Sequence, residues 1–279
     1  AIYLLGMSVS IPIWTKIGEK ITNKLAFEIA LVLFVLGSTL EGLAPNIYFF
    51  LAARMIMGIG GGGMGSLPYI IAGYVFPNIK TRTQVLGYLT ASFNGAAILG
   101  PLVGGWLIDA LSWHWVFYIN NPIGLVALLI SLIYYKPVTP KTVPVFDLQG
   151  AFLLVSGLIM FLMGIQLLGL TATWIVVGLI LFSLVLLIFF FLHEAKAENP
   201  IIPLSIFSNH DLNGDLILFA TTWGAFIAVN TYLPMWAQAL LGMSALMGGM
   251  TLIPNSIVEI IASQTVATIQ EKIRTFTLV

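Results

Sequence analysis

Long apolar runs dominate this sequence, and they are the feature that most restricts its fold. An α-helix needs about 20 apolar residues to cross roughly 30 Å of hydrocarbon. The runs are too long and alternate too little for membrane strands. They predict an all-α membrane protein with nine segments, at Ala1–Trp14, Leu25–Leu43, Ile47–Phe76, Val85–Ala110, Trp115–Tyr135, Leu148–Leu168, Thr173–Leu192, Asp215–Leu240 and Ser244–Gln270.

The composition agrees with a lipid bilayer as the surrounding medium. Of the 279 residues, 59% are hydrophobic and only 8% are charged, whereas a soluble domain carries roughly 25% charged residues. This excludes an ordinary soluble enzyme, and the zero net charge excludes nucleic acid as a partner. The chain has no cysteine, and His114, His193 and His210 lie at unrelated spacings in predicted loops. We therefore expect no enzymatic activity, no cofactor and no metal site.

The basic residues alternate from one predicted loop to the next. Ten of the eleven follow segments one, three, five, seven and nine, and the four intervening loops hold none. The positive-inside rule places the basic loops in the cytoplasm, which predicts a multi-pass protein of the plasma membrane. The eleventh basic residue, Arg54, lies inside a segment.

Both ends of the sequence predict that the chain is a fragment. Ala1–Trp14 spans about 21 Å as a helix, too short to cross the bilayer, and no basic region of a signal peptide precedes it. At the other end, Thr277–Val279 resembles the start of another helix.

Two similar basic loops indicate that the chain holds parts of two related halves, an arrangement common in transporters. Lys16–Ile21 and Thr268–Ile273 match at four of six positions. The alternative is chance similarity between two basic loops. The repeat predicts a first half at 1–135, two linker membrane helices at 136–193, and a cytoplasmic loop with the first two helices of the second half at 194–279.

Three short stretches stand out from the apolar background. The first is the charged loop after segment one, which could also be a solvated basic turn, and its candidates are Lys16, Gly18, Glu19, Lys20 and Lys24. The second places Arg54, Gly58 and Gly62 on one helix face, where an arginine needs a carboxylate, carbonyl or water partner. Its alternative role is purely structural, pinning two helices together.

The third stretch is a small-residue face in segment four. The stretch contains Gly95, Gly100, Pro101, Gly104 and Gly105. Its face is formed at helical spacing by Ala97, Gly100, Pro101 and Gly104. Glycines let a neighbouring backbone approach closely, and a proline bends its helix. The same face could serve packing in some other helical membrane protein.

With these stretches the sequence resembles the major facilitator superfamily, in particular its fourteen-helix drug:proton antiporter branch. The resemblance covers nearly the whole chain, from the second to about the tenth family helix. It implies the helical bundle of that family with about nine of fourteen helices present, residues 1–135 holding family helices 2–6. It also implies that the charged loop clasps the two halves, that Arg54 assists proton movement, and that the third stretch is the antiporter motif.

The function implied by the resemblance is secondary active transport, with amphipathic drugs or other toxic compounds exported in exchange for protons. Gly60–Gly63 is followed by no Gly-Lys-Ser/Thr, so the sequence predicts no phosphate-binding loop. The alternatives are a dedicated exporter of one lipid or metabolite and a non-transporting membrane scaffold or receptor. The oligomeric state is left open.

Four charged residues are candidates for proton coupling or gating: Arg54, Glu259, Glu41 and Asp109. Glu259 lies near the middle of the ninth segment, where the low dielectric disfavours a charged carboxylate. Asp109 is more typical of a helix cap or interface group, and Glu41 is either a residue of the cavity mouth or merely solvated.

The candidates for a substrate cavity are Trp223, Asn230 and Trp236. Flat rings accommodate ligands of many shapes, as promiscuous binders do, and Asn230 adds a polar group to the same segment. Most aromatic residues of a membrane bundle, however, face lipid or a neighbouring helix.

Overall fold

The computed structural model describes residues 2–136, 147–258 and 261–262, apart from the side chains of residues 94 and 98. Within these ranges the regular elements are helices, which confirms the predicted all-α class. They are α1 Ile2–Lys20, α2 Asn23–Gly42, α3 Ile47–Val75, α4 Ile79–Ala110, α5 Trp115–Tyr118, α6 Asn120–Tyr134, α7 Leu148–Gln166, α8 Thr173–Glu194, a 3₁₀ turn Leu204–Ser208, α9 His210–Leu241 and α10 Ala245–Met250.

Seven helical stretches among the described residues are long and apolar enough to cross a membrane: α2, α3, α4, α5 with α6, α7, α8 and α9. They match seven of the nine predicted segments. The first segment is a 19-residue helix, α1, that ends in charged residues. The ninth segment is described only at residues 244–258 and 261–262, so Glu259 lies outside the described residues.

The first predicted loop is wrong, because most of it is helical. α1 continues to Lys20, six residues beyond the predicted end at Trp14, so Lys16, Gly18 and Glu19 lie on a helix. Thr22 then caps α2 by accepting a hydrogen bond from the Leu25 amide. The chain therefore reverses within two residues.

Proline accounts for two interruptions that the apolar runs do not reveal. Ile119 separates α5 from α6, and Pro122 has no amide proton to donate to the Tyr118 carbonyl. The predicted ninth segment is interrupted by a turn at Thr251 and Leu252, after which residues 253–258 are helical again. Here Pro254 has no amide proton for the carbonyl of Met250.

The helices form two compact units. One comprises the described residues within 1–82 and 117–212, and the other those within 83–116 and 213–262. We call them unit 1 and unit 2. Their borders follow packing, whereas the division predicted at 135/136 and 193/194 concerns related halves and stays a prediction.

Unit 1 contains a closely packed group of three helices, α1, α2 and α3. A Cβ on Gly58 would collide with the Tyr3 carbonyl of α1, and a Cβ on Gly60 would collide with the Phe34 amide of α2. The α3 backbone therefore touches both neighbours. The Ile59 carbonyl adds a polar contact, since it accepts a hydrogen bond of 2.7 Å from Trp14 Nε1.

Candidate functional site

A buried ion pair joins the end of α2 to the beginning of α3. Glu41 Oε2 lies 3.3 Å from Arg54 Nε; the Glu41 side chain is 0% exposed and that of Arg54 is 32% exposed. The short connection between the two antiparallel helices brings these residues together. The structure thus supplies the carboxylate that an intramembrane arginine requires, and the alternative of a solvated Glu41 does not hold.

Two aromatic rings enclose the Arg54 guanidinium. Arg54 Cζ lies 5.0 Å from the centre of the Phe50 ring and 5.1 Å from that of Phe117. The rings meet each other edge to face, with their centres 5.7 Å apart. A cation over an aromatic face is stabilised by the ring quadrupole, so the rings contribute to holding Arg54 in place.

Hydrogen bonds hold the second of these rings, Phe117, against α2. Ser38 Oγ donates to the Phe117 carbonyl at 2.8 Å, and Asn120 Nδ2 donates to Ser38 Oγ at 2.9 Å. Tyr118 Oη donates to the Gly42 carbonyl at 2.7 Å. Phe117 is therefore anchored to α2 on both sides of Glu41.

The Glu41 carboxylate itself receives no hydrogen bond from the described part of the chain. Buried carboxylates are normally hydrogen-bonded, and leaving such a group unsatisfied is costly. Its only compensation among these residues is the charge of Arg54. Two oxygens are thus left as acceptors for a proton or a polar ligand.

The residues of the predicted charged loop form two separate local pairs. Lys16 Nζ lies 3.3 Å from Glu19 Oε2, one turn away on α1. Lys24 Nζ lies 3.8 Å from Glu28 and donates to the Tyr135 carbonyl at 2.7 Å. Lys24 thus caps the end of α6, where a cation is favourable. The predicted role as a clasp between the halves stays a prediction.

Gly18 and Lys20 are the two remaining residues of the predicted charged loop. A Cβ on Gly18 would collide with the Asn23 side chain and approach Leu67 at 3.3 Å. Gly18 is buried and therefore allows the close turn between α1 and α2. Lys20 is exposed at the last position of α1.

The stretch that the resemblance identifies as the antiporter motif divides into packed and open positions. A Cβ on Gly105 would lie 2.6 Å from Leu246 Cα, and a Cβ on Gly249 would lie 2.6 Å from the Pro101 carbonyl oxygen. By contrast, a Cβ on Gly95, Gly100 or Gly104 would meet no described heavy atom of unit 2 within 4 Å. Only Pro101 and Gly105 therefore belong to the contact between α4 and α10.

Asp109 caps the beginning of α10. Its Oδ1 accepts a hydrogen bond from the Ala245 amide at 3.3 Å, and its Oδ2 accepts one from the Leu246 amide at 3.0 Å. This geometry agrees with its interpretation as a cap or interface group. A role in gating stays a proposal.

The three cavity candidates do not come together on one face of α9. Trp223 stacks on Phe219 and Phe226 at centre distances of 5.7 and 5.2 Å. Asn230 Nδ2 donates to the Phe226 carbonyl of its own helix at 2.9 Å. Trp236 is 51% exposed and lies roughly 140° around the helix from Trp223, from the helical period.

One polar cluster was not predicted from the sequence. His193, predicted in a loop, lies in the last turn of α8. His193 Nε2 lies 2.9 Å from Asp147 Oδ2, and Asp147 also caps α7 through the Gly150 amide. The neighbouring Glu194 is buried and accepts hydrogen bonds from the Ile201 and Ile202 amides. Asp147 followed by Gly150 and an apolar run is a recognisable cap signal, but nothing in the sequence pairs it with His193.

The amino-acid sequence of this chain is similar to that of a known protein family. The family model described as Major Facilitator Superfamily matches residues 1–279. Multidrug resistance protein 3 of Bacillus subtilis (strain 168) is 35% identical over 94% of this chain and 52% of its own length. Efflux pump dotC of Dothistroma septosporum (strain NZE10 / CBS 128990) is 36% identical over 90% and 45%. Multidrug transporter protein MdtP of Bacillus subtilis (strain 168) is 32% identical over 94% and 49%. The chain thus spans about half the length of these relatives.

Proposed function

The chain belongs to the major facilitator superfamily, and from that premise we propose that the protein is a proton-coupled exporter of amphipathic drugs in the plasma membrane. Membership of a transporter family and several apolar helices make it a multi-pass membrane protein and not an enzyme. The names of the relatives, a multidrug resistance protein, an efflux pump and a multidrug transporter protein, support drug export. Proton exchange is the finer part of the proposal.

The observation that carries the proposal is the ion pair of Glu41 and Arg54. A carboxylate that is fully buried, without a hydrogen-bond donor among the described residues, depends on one cation for its charge. If a proton binds to either Glu41 oxygen, the pair loses its charge attraction and Arg54 is released towards its exposed side. If the proton leaves, the pair forms again. Binding of one proton thus releases one guanidinium group, and loss of that proton binds it again.

The predicted membrane orientation suits this exchange. Glu41 lies in the last turn of α2 and Arg54 in the second turn of α3, at the helix ends opposite the basic loops. If these loops face the cytoplasm, the pair lies nearer the outer surface, from which protons enter an antiporter. Lys24 and the end of α6 meet at the opposite ends of the helices, as this orientation requires.

The other predicted residues receive supporting roles in the proposal. The antiporter motif would allow α4 to move, and the charged residues from Lys16 to Lys24 would hold the cytoplasmic side in one state. Trp223 and its stacked neighbours would contact an aromatic substrate. Glu259 lies outside the described residues and remains a second candidate proton carrier.

The test is a Glu41→Gln variant of the full-length protein, because glutamine keeps the shape of the side chain but cannot exchange a proton. The measurement is substrate-driven proton flux in proteoliposomes, together with efflux of a fluorescent amphipathic cation across an imposed pH gradient. We expect at least a tenfold loss of proton flux, about the effect of 1.4 kcal/mol or more. Glu198→Gln is the matched control, since Glu198 is exposed on the segment after α8, and it should retain both activities.

Unchanged proton flux in Glu41→Gln would remove the pair from the coupling mechanism. Absence of substrate-driven flux in the unmodified protein would reject antiport altogether and favour a scaffold or receptor. Competition among chemically unrelated dyes would separate a multidrug exporter from an exporter of one metabolite.

A further inference from the structure

A narrow apolar cavity lies between α1, α3 and α7 within unit 1. We infer that it holds one acyl chain of an anionic phospholipid of the inner leaflet, whose phosphate group lies at Lys20. The inference concerns a binding partner and not the transport cycle, so it goes beyond the proposed function. It uses the predicted orientation, in which the end of α1 at Lys20 faces the cytoplasm.

The length of the cavity matches one leaflet of a bilayer. Its volume is about 360 Å³, and its lining on α1 extends from Leu5 to Ile17. Over this distance a helix rises about 18 Å, and the hydrocarbon of one leaflet is roughly 15 Å thick, half of the whole core. The cavity can therefore take a linear chain that runs alongside α1.

The lining offers no free polar donor to a ligand. Its two polar side chains donate to the same carbonyl oxygen, that of Ile59, which lies 3.1 Å from Ser10 Oγ and 2.7 Å from Trp14 Nε1. The other lining side chains are aliphatic or methionine. A buried water needs about two to four polar partners, and a cationic drug needs a negative charge. The chemistry of the lining therefore suits a hydrocarbon chain.

The cavity lies on the side of α7 that does not pack closely on a neighbour. A Cβ on Gly157 would approach Leu187 of α8 at 2.9 Å, and one on Gly164 would approach Ile180 of α8 at 2.8 Å. The glycines thus bring α7 against α8, whereas branched side chains such as Ile159 line the cavity towards α1 and α3. An unfilled space deprives its lining of van der Waals contacts. The acyl chains of the surrounding bilayer are the material at hand to restore them.

Lys20 places a positive charge at the cytoplasmic end of the same face of α1. Gly6, Ile13 and Lys20 are spaced by seven residues, nearly two helical turns, so they lie on one face, and Gly6 and Ile13 line the cavity. Lys20 is exposed at the last position of α1. A headgroup at Lys20 would therefore lie directly beyond the cytoplasmic end of the cavity.

The charge of Lys20 is available to a phosphate, unlike the charges of the two neighbouring lysines. Lys16 Nζ lies 3.3 Å from Glu19 Oε2, and Lys24 donates to the Tyr135 carbonyl. Lys20 makes no ion pair with any residue in the described ranges. Basic side chains at the cytoplasmic surface attract anionic headgroups, and the long stem of lysine lets its ammonium group reach their level.

The test measures binding of phosphatidylglycerol to the purified, delipidated full-length protein by native mass spectrometry. Ile159→Phe should weaken binding at least about fivefold, the effect of modest overpacking, because its ring would occupy the space of the acyl chain. Ile165→Phe is the matched control. Ile165 is 46% exposed on the same helix and does not line the cavity, so this variant should bind like the parent.

Lys20→Gln tests the headgroup, with phosphatidylcholine of the same acyl chains as the comparison lipid. We expect about fivefold weaker binding of phosphatidylglycerol, the usual effect of one lysine near an anionic membrane surface, and unchanged binding of phosphatidylcholine. Lys196→Gln, at an exposed position after α8, should keep the preference for the anionic lipid. Since Lys20 is exposed, this variant gives a result even if Ile159→Phe yields no monodisperse protein.

Three results would overturn the inference. They are parental binding of phosphatidylglycerol by Ile159→Phe, parental binding by Lys20→Gln, and equal affinity of the unmodified protein for the two lipids. Competition by water-soluble glycerol 3-phosphate would also overturn it, because binding would then depend on the charge alone.

The lipid measurement is independent of proton coupling, since it involves no gradient. The expected lipid binding in a protein without substrate-driven proton flux would retain the lipid site and reject the proposed function. Normal antiport without any preference for phosphatidylglycerol would reject the lipid site and retain the proposed function.

Discussion

α3 of unit 1 and α4 of unit 2 both carry glycine-rich motifs, yet the two helices use them differently. On α3, Cβ atoms at Gly58, Gly60 and Gly62 would each collide with a neighbouring helix. On α4, the equivalent positions at Gly100 and Gly104 face no described atom of their own unit within 4 Å. Small-residue spacing thus identifies a face that another backbone can approach, and it does not determine whether that approach occurs.

Polar contacts distinguish the two helices. Around α3, the Ile59 carbonyl accepts from Ser10 and Trp14, and Arg54 pairs with Glu41. Along α4, Asp109 at the far end provides the corresponding contact. Unit 1 is therefore a block held at several points, whereas the face of α4 is held at one end.

The largest expected effect comes from placing a methyl group on each glycine face. Gly60→Ala should prevent most of the protein from folding, because its Cβ would collide with the backbone amide of Phe34. Gly100→Ala should leave stability unchanged or raise it by up to about 1 kcal/mol, the difference in helix propensity. The yield of monodisperse protein in detergent, followed by thermal unfolding of the fraction recovered, measures the contrast. Equal losses at the two positions would mean that the α4 face is as tightly packed as that of α3.

A smaller effect is expected at the aromatic residues of α9. Trp223→Ala should raise the half-saturating concentration for efflux of an aromatic cation about fivefold, in keeping with the loss of one cation–π contact. Trp236→Ala should change it less than about twofold, because its ring lies on another face of the helix. Initial rates of dye efflux at several concentrations provide the comparison. The reverse order would place the substrate on the Trp236 side.

The smallest effect concerns the end of unit 1 where Lys24 caps α6. Lys24→Met should lower stability by about 0.3–1 kcal/mol, the usual range for a cation at a helix C-terminus. Lys196→Met, at an exposed position after α8, is the control and should leave the melting temperature unaffected. A loss at Lys24 as large as that at Gly60 would show that this end, and not the glycine face, is the main support of the block.

The sequence predicts the helices well because apolar length depends on local composition alone. Seven of the predicted spans correspond to long apolar helices, and the need of Arg54 for a partner follows from the cost of a charge in lipid. The identity of that partner does not follow. Glu41 lies near a helix end, and only the path of residues 43–46 turns it towards Arg54 instead of water.

Contacts between distant parts of the chain could not be predicted from the sequence either. His193 and Asp147 are 46 residues apart, and neither a period nor a spacing rule connects them. The different packing of Gly100 and Gly105 on α4 could not be predicted for the same reason. The two residues are chemically identical and differ only in what packs against them. The predicted end of the first helix, at Trp14, is wrong because charged residues extend α1 beyond its apolar part.

The number of charges at the ion pair of Glu41 and Arg54 limits what can bind there. Glu41 neutralises one positive charge at a time, and in this structure that charge belongs to Arg54. Under the proposed function, a proton and the Arg54 guanidinium would compete for this one negative charge. Under the same proposal, a singly charged drug that paired with Glu41 would displace Arg54 as a proton does, so this carboxylate would exchange one such drug for one proton.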